Sequence, residues 1–323
     1  MYSNLLSDNQ SAPILLLVFN RPEKTRQIFE VIKEIKPSKL YIAADGPREE
    51  RISDVELCRK TREIFLDISW NCSIKTLFRE KNCGCKNAVS SAISWFFSHE
   101  SEGIILEDDC LPNPVFFKFC TELLEKYRTD MRIMMISGDN FLNSKYKPEG
   151  SYYFSLQTHI WGWATWKRAW DYYDVELKKW PEFQRLNILQ GLYPNKRHAN
   201  GWTSLMNKIY SGEIETWDYQ WQFTCWTHNG LSIMPSENLV TNIGDDSEGT
   251  HFDISNNFNS EIQHQEIKFP LIHPIFLTRD YQADNITLNR IFPYIGFIKR
   301  LVNTSKYVYN RLYTDIIRLN IKL

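Results

Sequence analysis

From residue 13 the chain alternates between short apolar runs and amphipathic stretches. That alternation constrains its fold more than any other feature. "PILLLVF" is a continuous apolar run, as expected of a strand buried on both faces. "RPEKTRQIFEVIKEI" then places Ile28, Val31, Ile32 and Ile35 at the spacing of one helical face. Pro22 suits that helix's first turn. "KLYIAAD" reads as a second strand, stopped by Gly46-Pro47. A charged helix follows over 54–66 and a strand over 73–78. "CKNAVSSAISWFF" buries Val89, Ala92, Ile93, Phe96 and Phe97 at helical spacing. "GIILEDD" is a strand, "NPVFFKFCTELLEKY" a helix, and "IMMISGDN" a strand ending in a polar turn. Strands and helices in this order predict right-handed crossovers and a mostly parallel, doubly wound α/β sheet.

In such a sheet, ligands bind at the C-terminal ends of the strands. Those ends carry Asn20 and Arg21, Asp45, Glu107-Asp108-Asp109, and Ser137-Gly138-Asp139. No GxGxxG follows the first strand and no GxxxxGK[ST] occurs, which speaks against a dinucleotide cofactor and a P-loop. The three adjacent acids repel one another. They read either as a solvated turn or as groups awaiting a cation and hydroxyl donors. Hard Mg²⁺ or Mn²⁺ ions suit oxygen ligands and share them with phosphates. Strand alternation would point Glu107 and Asp109 one way and Asp108 the other.

Composition narrows the partners. The 323 residues carry a formal net charge of −1, so no global charge points to nucleic acid. Seven cysteines show no paired-CxxC spacing, so a zinc site is not expected and free thiols in a reducing cytosol are. The first strand is far shorter than the ~20 residues of a membrane helix. The N-terminus reads as no signal or anchor, so the sequons at Asn71, Asn285 and Asn303 read as accidental. After residue 150 the pattern changes. "THIWGWATWKRAWDYYD" and "ETWDYQWQFTCW" hold most of the eleven tryptophans, and the alternation lapses. This suggests an extension packed on the sheet edge, not a second fold. Residues 290–323 hold seven Lys/Arg and one Asp, 7 − 1 = +6, with aromatic residues interleaved. That tail either rests on an anionic membrane surface or docks as an ordinary helix.

Over residues 13–255 these motifs resemble the GT-A-fold nucleotide-sugar glycosyltransferases, and most of all the N-acetylglucosaminyltransferase I-like branch with its bacterial relatives. The likeness rests on "LLLVFNRPE", "YIAADGP", "NCGCKNAV", "GIILEDDCLPNPVFFKF", "HIWGWATWKRAW", "ETWDYQWQF" and "NIGDDSEGTHF". It implies the following roles. Asn20, Arg21 and Asp45 would contact the nucleotide, with Lys86 near the base in place of the family's His. Glu107 would touch the donor sugar, Asp108 the ribose, and Asp109 a Mn²⁺ or Mg²⁺ ion. Trp161, Gly162, Trp163 and Trp217 would wall the sugar pocket. Asp218 would be the general base of an inverting transfer. His251 would reach the metal or diphosphate on a loop hinged at Gly244 and Gly249.

The domain plan expected is a lead over 1–12, a nucleotide-sugar half over 13–150, an acceptor half of the same domain over 151–285, and a basic tail over 286–323. The expected partners are a UDP-sugar or similar donor and a glycan or lipid-linked acceptor. The expected place is the cytoplasm or the cytoplasmic face of the inner membrane, in surface-polysaccharide synthesis. The residues alone leave other readings beside these. Arg21 can pair with Glu23 or Glu49. Asp45 is an ordinary turn residue before Gly-Pro, and Asp218 an ordinary helix N-cap. A sugar-nucleotide nucleotidyltransferase would share the sheet and acids, but "FNRPEKTRQ" lacks the glycines expected after its first strand. A non-catalytic glycan-binding protein would use the Trp-rich half.

Overall fold

A computed structural model describes residues 11–142, 145–244 and 267–293. The expected first half is there: β1 (Ile14–Val18), α1 (Pro22–Ile35), β2 (Lys39–Ala44), α2 (Ile52–Glu63), β3 (Ser73–Phe78), α3 (Gly84–Phe97), β4 (Glu102–Glu107), a short β5 (Cys110–Pro112), α4 (Pro114–Lys126) and β6 (Ile133–Ser137). The second half adds β7 (Tyr152–Ser155), β8 (Trp163–Trp166), α5 (Lys167–Trp170), α6 (Trp180–Arg185), α7 (Ile188–Leu192), α8 (Lys196–Tyr210), α9 (Asp218–Thr227), β9 (Leu231–Pro235), β10 (Val240–Asn242) and α10 (Tyr281–Ile291).

Eight strands form one sheet in the order β3-β2-β1-β4-β8-β6-β9-β7, a mixed α/β sheet with a parallel β3-β2-β1-β4 half. Both faces are covered, as the continuous apolar strands require. Ile14, Leu16 and Val18 of β1 face a core shared with α1 and α4. Leu15 and Leu17 face a second core built from α3, α9 and β8. Of the helix faces read from sequence, Ile28 and Ile32 in α1 are buried with Val31 and Ile35 partly buried against the same core, and Val89, Ala92, Ile93, Phe96 and Phe97 in α3 are buried.

The aromatic-rich half departs from expectation. It does not pack on the sheet edge. β8 lies inside the sheet, antiparallel between β4 and β6, with Trp163 opposite Ile105 and Ser137. Being antiparallel, β8 begins where β4 and β6 end, so Trp161 and Gly162 arrive at the edge that carries the acids. The expected boundary at residue 286 falls inside α10. Asp284 of that helix is buried and takes hydrogen bonds from Arg279, the Ser155 hydroxyl and the Leu156 N–H, tying α10 to the end of β7. No helix among the described residues is long and apolar enough to cross a membrane. His251, Gly249 and residues 294–323 of the tail lie outside the described residues.

Gly162 makes the entry into β8 possible. It sits at φ 68°, and its carbonyl accepts the Gly138 N–H at 2.8 Å. A Cβ there would stand 2.8 Å from Val240 Cγ2. Strained backbone and overpacking act together. Gly162→Ala is expected to lower unfolding free energy by about 1–3 kcal/mol in urea titrations; a change below about 0.5 kcal/mol would contradict this packing.

Candidate functional site

Strand register builds the site. β1 and β4 run parallel with Leu17 beside Glu107. The residues that follow on each strand, Phe19 to Arg21 and Asp108-Asp109, therefore leave the sheet side by side. The Phe19 N–H donates to Asp108 Oδ2 at 3.1 Å. Arg21 Nη1 donates to Asp108 Oδ1 at 3.1 Å and to Asp109 Oδ2 at 3.0 Å. Arg21 thus pairs with the strand-end acids, not with Glu23 or Glu49. The expected alternation also fails, because β4 ends at Glu107 and Asp108-Asp109 form a turn. The turn lets one guanidinium nitrogen meet both carboxylates.

Glu107 is the strained member. The residue is half-buried, and Oε1 is buried with no hydrogen-bond partner among the described residues. Burial first, then the charges of Asp109, Asp108 and Asp218, push its carboxyl well above the usual range. Asp108 is 6% exposed, and burial followed by Asp109 raises it to about 6, against the pull of Arg21.

Asp218 joins this cluster from far along the chain. It is not the N-cap of α9. Trp217 holds that position, and Asp218 is the first helical residue. Its Oδ1 accepts the Thr216 hydroxyl, and its charge reaches Glu107 and the half-buried Cys85 thiol. What holds α9 there is aromatic packing. Trp163 stacks on Trp217 at 5.9 Å between centroids and meets Trp221 at 5.6 Å. Tyr173 donates to the Trp217 carbonyl at 2.9 Å. Trp163 and Trp217 are 0% and 1% exposed. This corrects their expected role: neither ring has a free face for a sugar, and together they form the platform under Asp218. Trp161 remains half-buried, edge-on to Phe141 at 5.1 Å.

Other expected residues are engaged elsewhere. Asp45 is buried; Oδ1 accepts the Gly46 and Cys83 N–H groups at 2.9 and 3.1 Å, and Oδ2 accepts Asn82 Nδ2 at 3.0 Å. Its bond to the Gly46 N–H is the turn role weighed for it; its bonds to Asn82 and Cys83, which latch the turn that starts α3, were not foreseen. Asn20 donates to Asp54 at 2.9 Å, and Arg48 grips the same carboxylate at 2.6 Å. Lys86, in the first turn of α3, pairs with Glu176 at 3.5 Å. Gly244 lies directly against the acids: a Cβ there would stand 2.5 Å from Asp109 Oδ2, and the Ile243 N–H donates to the Asp109 carbonyl at 2.7 Å.

Two residues escaped the sequence reading, and a third, Asp139, was noted at a strand end without a role. Cys85 lies among the charges of Glu107, Asp218, Asp109 and Glu215. The Thr216 hydroxyl orients Asp218. Asp139 is fully buried, with Oδ2 on the Trp161 N–H at 3.0 Å and Oδ1 unpartnered among the described residues. Its place at a strand end was the available signal.

Among the described residues, no three His, Cys, Asp or Glu side chains form a ready metal cage. The donor set nevertheless fits a hard divalent ion held by one or two carboxylates. It consists of oxygens, one of them buried and unpartnered, and Mg²⁺-type sites are commonly completed by water and substrate phosphate.

A carboxyl held above its unfolded pKa keeps its proton in the folded protein while the unfolded chain releases it. Its contribution to stability therefore falls as pH rises through that window. Buried His159, pushed down to about 3, works the other way, adding stability as pH rises toward 6.5. The difference between Glu107→Gln and the parent isolates the carboxyl. With chelator present, the variant's advantage is expected to be small in mild acid and to grow to about 1–3 kcal/mol at neutral pH. A pH-independent difference in thermal unfolding would contradict the assignment.

No family model matches this chain and no curated protein does. Several solved structures overlap it in part. HddC from Yersinia pseudotuberculosis is 10% identical at TM-score 0.30, covering 51% of this chain and 81% of that one. A cytidylyltransferase from Leptospira borgpetersenii serovar Hardjo-bovis is 12% identical at TM-score 0.31, covering 50% and 63%. The inositol-1-phosphate CTP transferase from T. maritima is 10% identical at TM-score 0.25, covering 50% and 74%. Overlaps this slight do not bear on the chemistry of the acid cluster.

Proposed function

We propose that this chain is a metal-dependent glycosyltransferase. It moves a sugar from a nucleotide-diphosphate sugar, of the UDP type, to a hydroxyl of a glycan or lipid-linked acceptor, with inversion, in surface-polysaccharide synthesis. The observation that supports this most is a C-terminal sheet edge where Arg21 joins Asp108 to Asp109 and where the charge of Asp218 bears on Glu107. A direct displacement at an anomeric carbon can use a general base for the incoming hydroxyl and a cation site for the leaving diphosphate.

In this reading Asp218 takes the proton of the attacking hydroxyl at its carboxylate. The Thr216 hydroxyl fixes that carboxylate's orientation and the tryptophan platform fixes its position. Asp109 and the adjacent acids would hold Mn²⁺ or Mg²⁺. When bound, such an ion offsets charge building on the leaving diphosphate. The Arg21 guanidinium has the fork geometry that suits phosphate. Glu107, at the head of the acidic turn, is the carboxyl that would contact a sugar oxygen. Half-buried Trp161 keeps the sugar-facing role expected of it, and Gly162 brings it to this edge.

Asp218→Asn should lower turnover of the cognate nucleotide sugar at least ~10²-fold, read as release of nucleoside diphosphate by chromatography. Binding of UDP with Mn²⁺ should stay within about threefold of the parent. Full turnover in the variant would sink the proposed base. Pyrophosphate release from a sugar phosphate and a nucleoside triphosphate would replace the reading with nucleotidyl transfer. Sugar binding indifferent to chelator and to Asp218→Asn would replace it with a glycan-binding protein.

A further inference from the structure

Arg21 stands where a cation is wanted. A single nitrogen, Nη1, lies 3.1 Å from Asp108 and 3.0 Å from Asp109, and the side chain is 27% exposed. The Asp109 oxygen it holds, Oδ2, is also the one against which Gly244 packs. The ligand-free acids are therefore partly compensated, and the Asp109 oxygen is crowded from two sides. A bare divalent ion reaching that oxygen must displace the guanidinium. It would leave a positive charge a few ångströms from a dication in a half-buried setting, where like charges repel strongly. Removing one partner of a buried charge pair is costly because the other is left uncompensated. A diphosphate changes the balance. It brings negative charge with the ion and gives the guanidinium a bidentate partner.

We propose that Arg21 is a resident counter-ion that keeps bare divalent ions out of the acid cluster and yields only when the ion arrives with a diphosphate. Metal and nucleotide then enter as one unit. By linkage each tightens the other's binding by the same factor. The inference rests on the functional reading of Asp109 as a metal ligand.

The test is Mn²⁺ binding to the full chain without nucleotide, followed by loss of the free-ion EPR signal at neutral pH. Arg21→Gln is expected to bind bare Mn²⁺ about tenfold tighter than the parent, and Asp109→Asn should abolish that gain. Arg21→Lys, which keeps a charge but loses the fork, should fall between the two; it carries the comparison if Arg21→Gln does not fold. Added UDP should tighten Mn²⁺ far more in the parent than in Arg21→Gln. Bare Mn²⁺ binding equally well to parent and variants, or more weakly to the variants, overturns the proposal. If UDP binds no form of the protein, the glycosyltransferase reading fails, while the bare-ion comparison still decides the role of Arg21.

Discussion

The pairing of Arg21 with Asp108 and Asp109 is the contact on which the rest of the site depends. Three consecutive carboxylates at the end of a buried strand are unfavourable alone, and Asp218 adds a fourth nearby. One guanidinium cannot neutralise them all. Burial first, and then the neighbouring carboxylates, push the Glu107 and Asp108 carboxyls upward. The Arg21 pairs offset only part of the repulsion. The cluster is held in place by apolar cores on both faces of the sheet, to which Leu106, one residue before the acids, and the neighbouring Leu17 belong. Perturbed carboxyls in such a place are what functional sites tend to show.

The second constraint is distance along the chain. Asp218 meets the acids because the aromatic half is woven into the sheet. β8 enters between β4 and β6, and its Trp163 becomes the floor on which Trp217 and Trp221 of α9 are laid. The stacked and tilted rings are closely packed and almost fully buried. The dense tryptophan content is therefore mainly architecture. Its consequence for chemistry is the position of one carboxylate.

Much of the α/β framework was legible because apolar runs and helical spacing are local signals. β1 to β4, α1, α3 and α4 lie where the periodicity puts them. The acidic turn was legible too, because three acids after an apolar run are conspicuous. What was hidden is non-local. β8 is only four residues long, and its aromatic flanks mask any alternation. Asp108 and Asp109 share a partner because the strand stops at Glu107, two residues earlier than its pattern suggests. Asp45 looked like a ligand contact, but backbone and side-chain donors from residues 82 and 83 consume its carboxylate, a closure no spacing reveals. Trp163 and Trp217 were expected at a surface that tertiary packing covers.

The most direct test of the acid cluster as a nucleotide-diphosphate and metal site is calorimetric titration of the protein with UDP and other nucleoside diphosphates. Each is titrated once with Mn²⁺ and once with EDTA. The predicted result is binding that requires the ion and that, at ligand concentrations about 100 times Kd, stabilises the fold by about 2.7 kcal/mol. Binding of equal strength in EDTA, or no binding of any nucleoside diphosphate by well-folded protein, would contradict it and leave Glu107-Asp108-Asp109 a strained acidic turn.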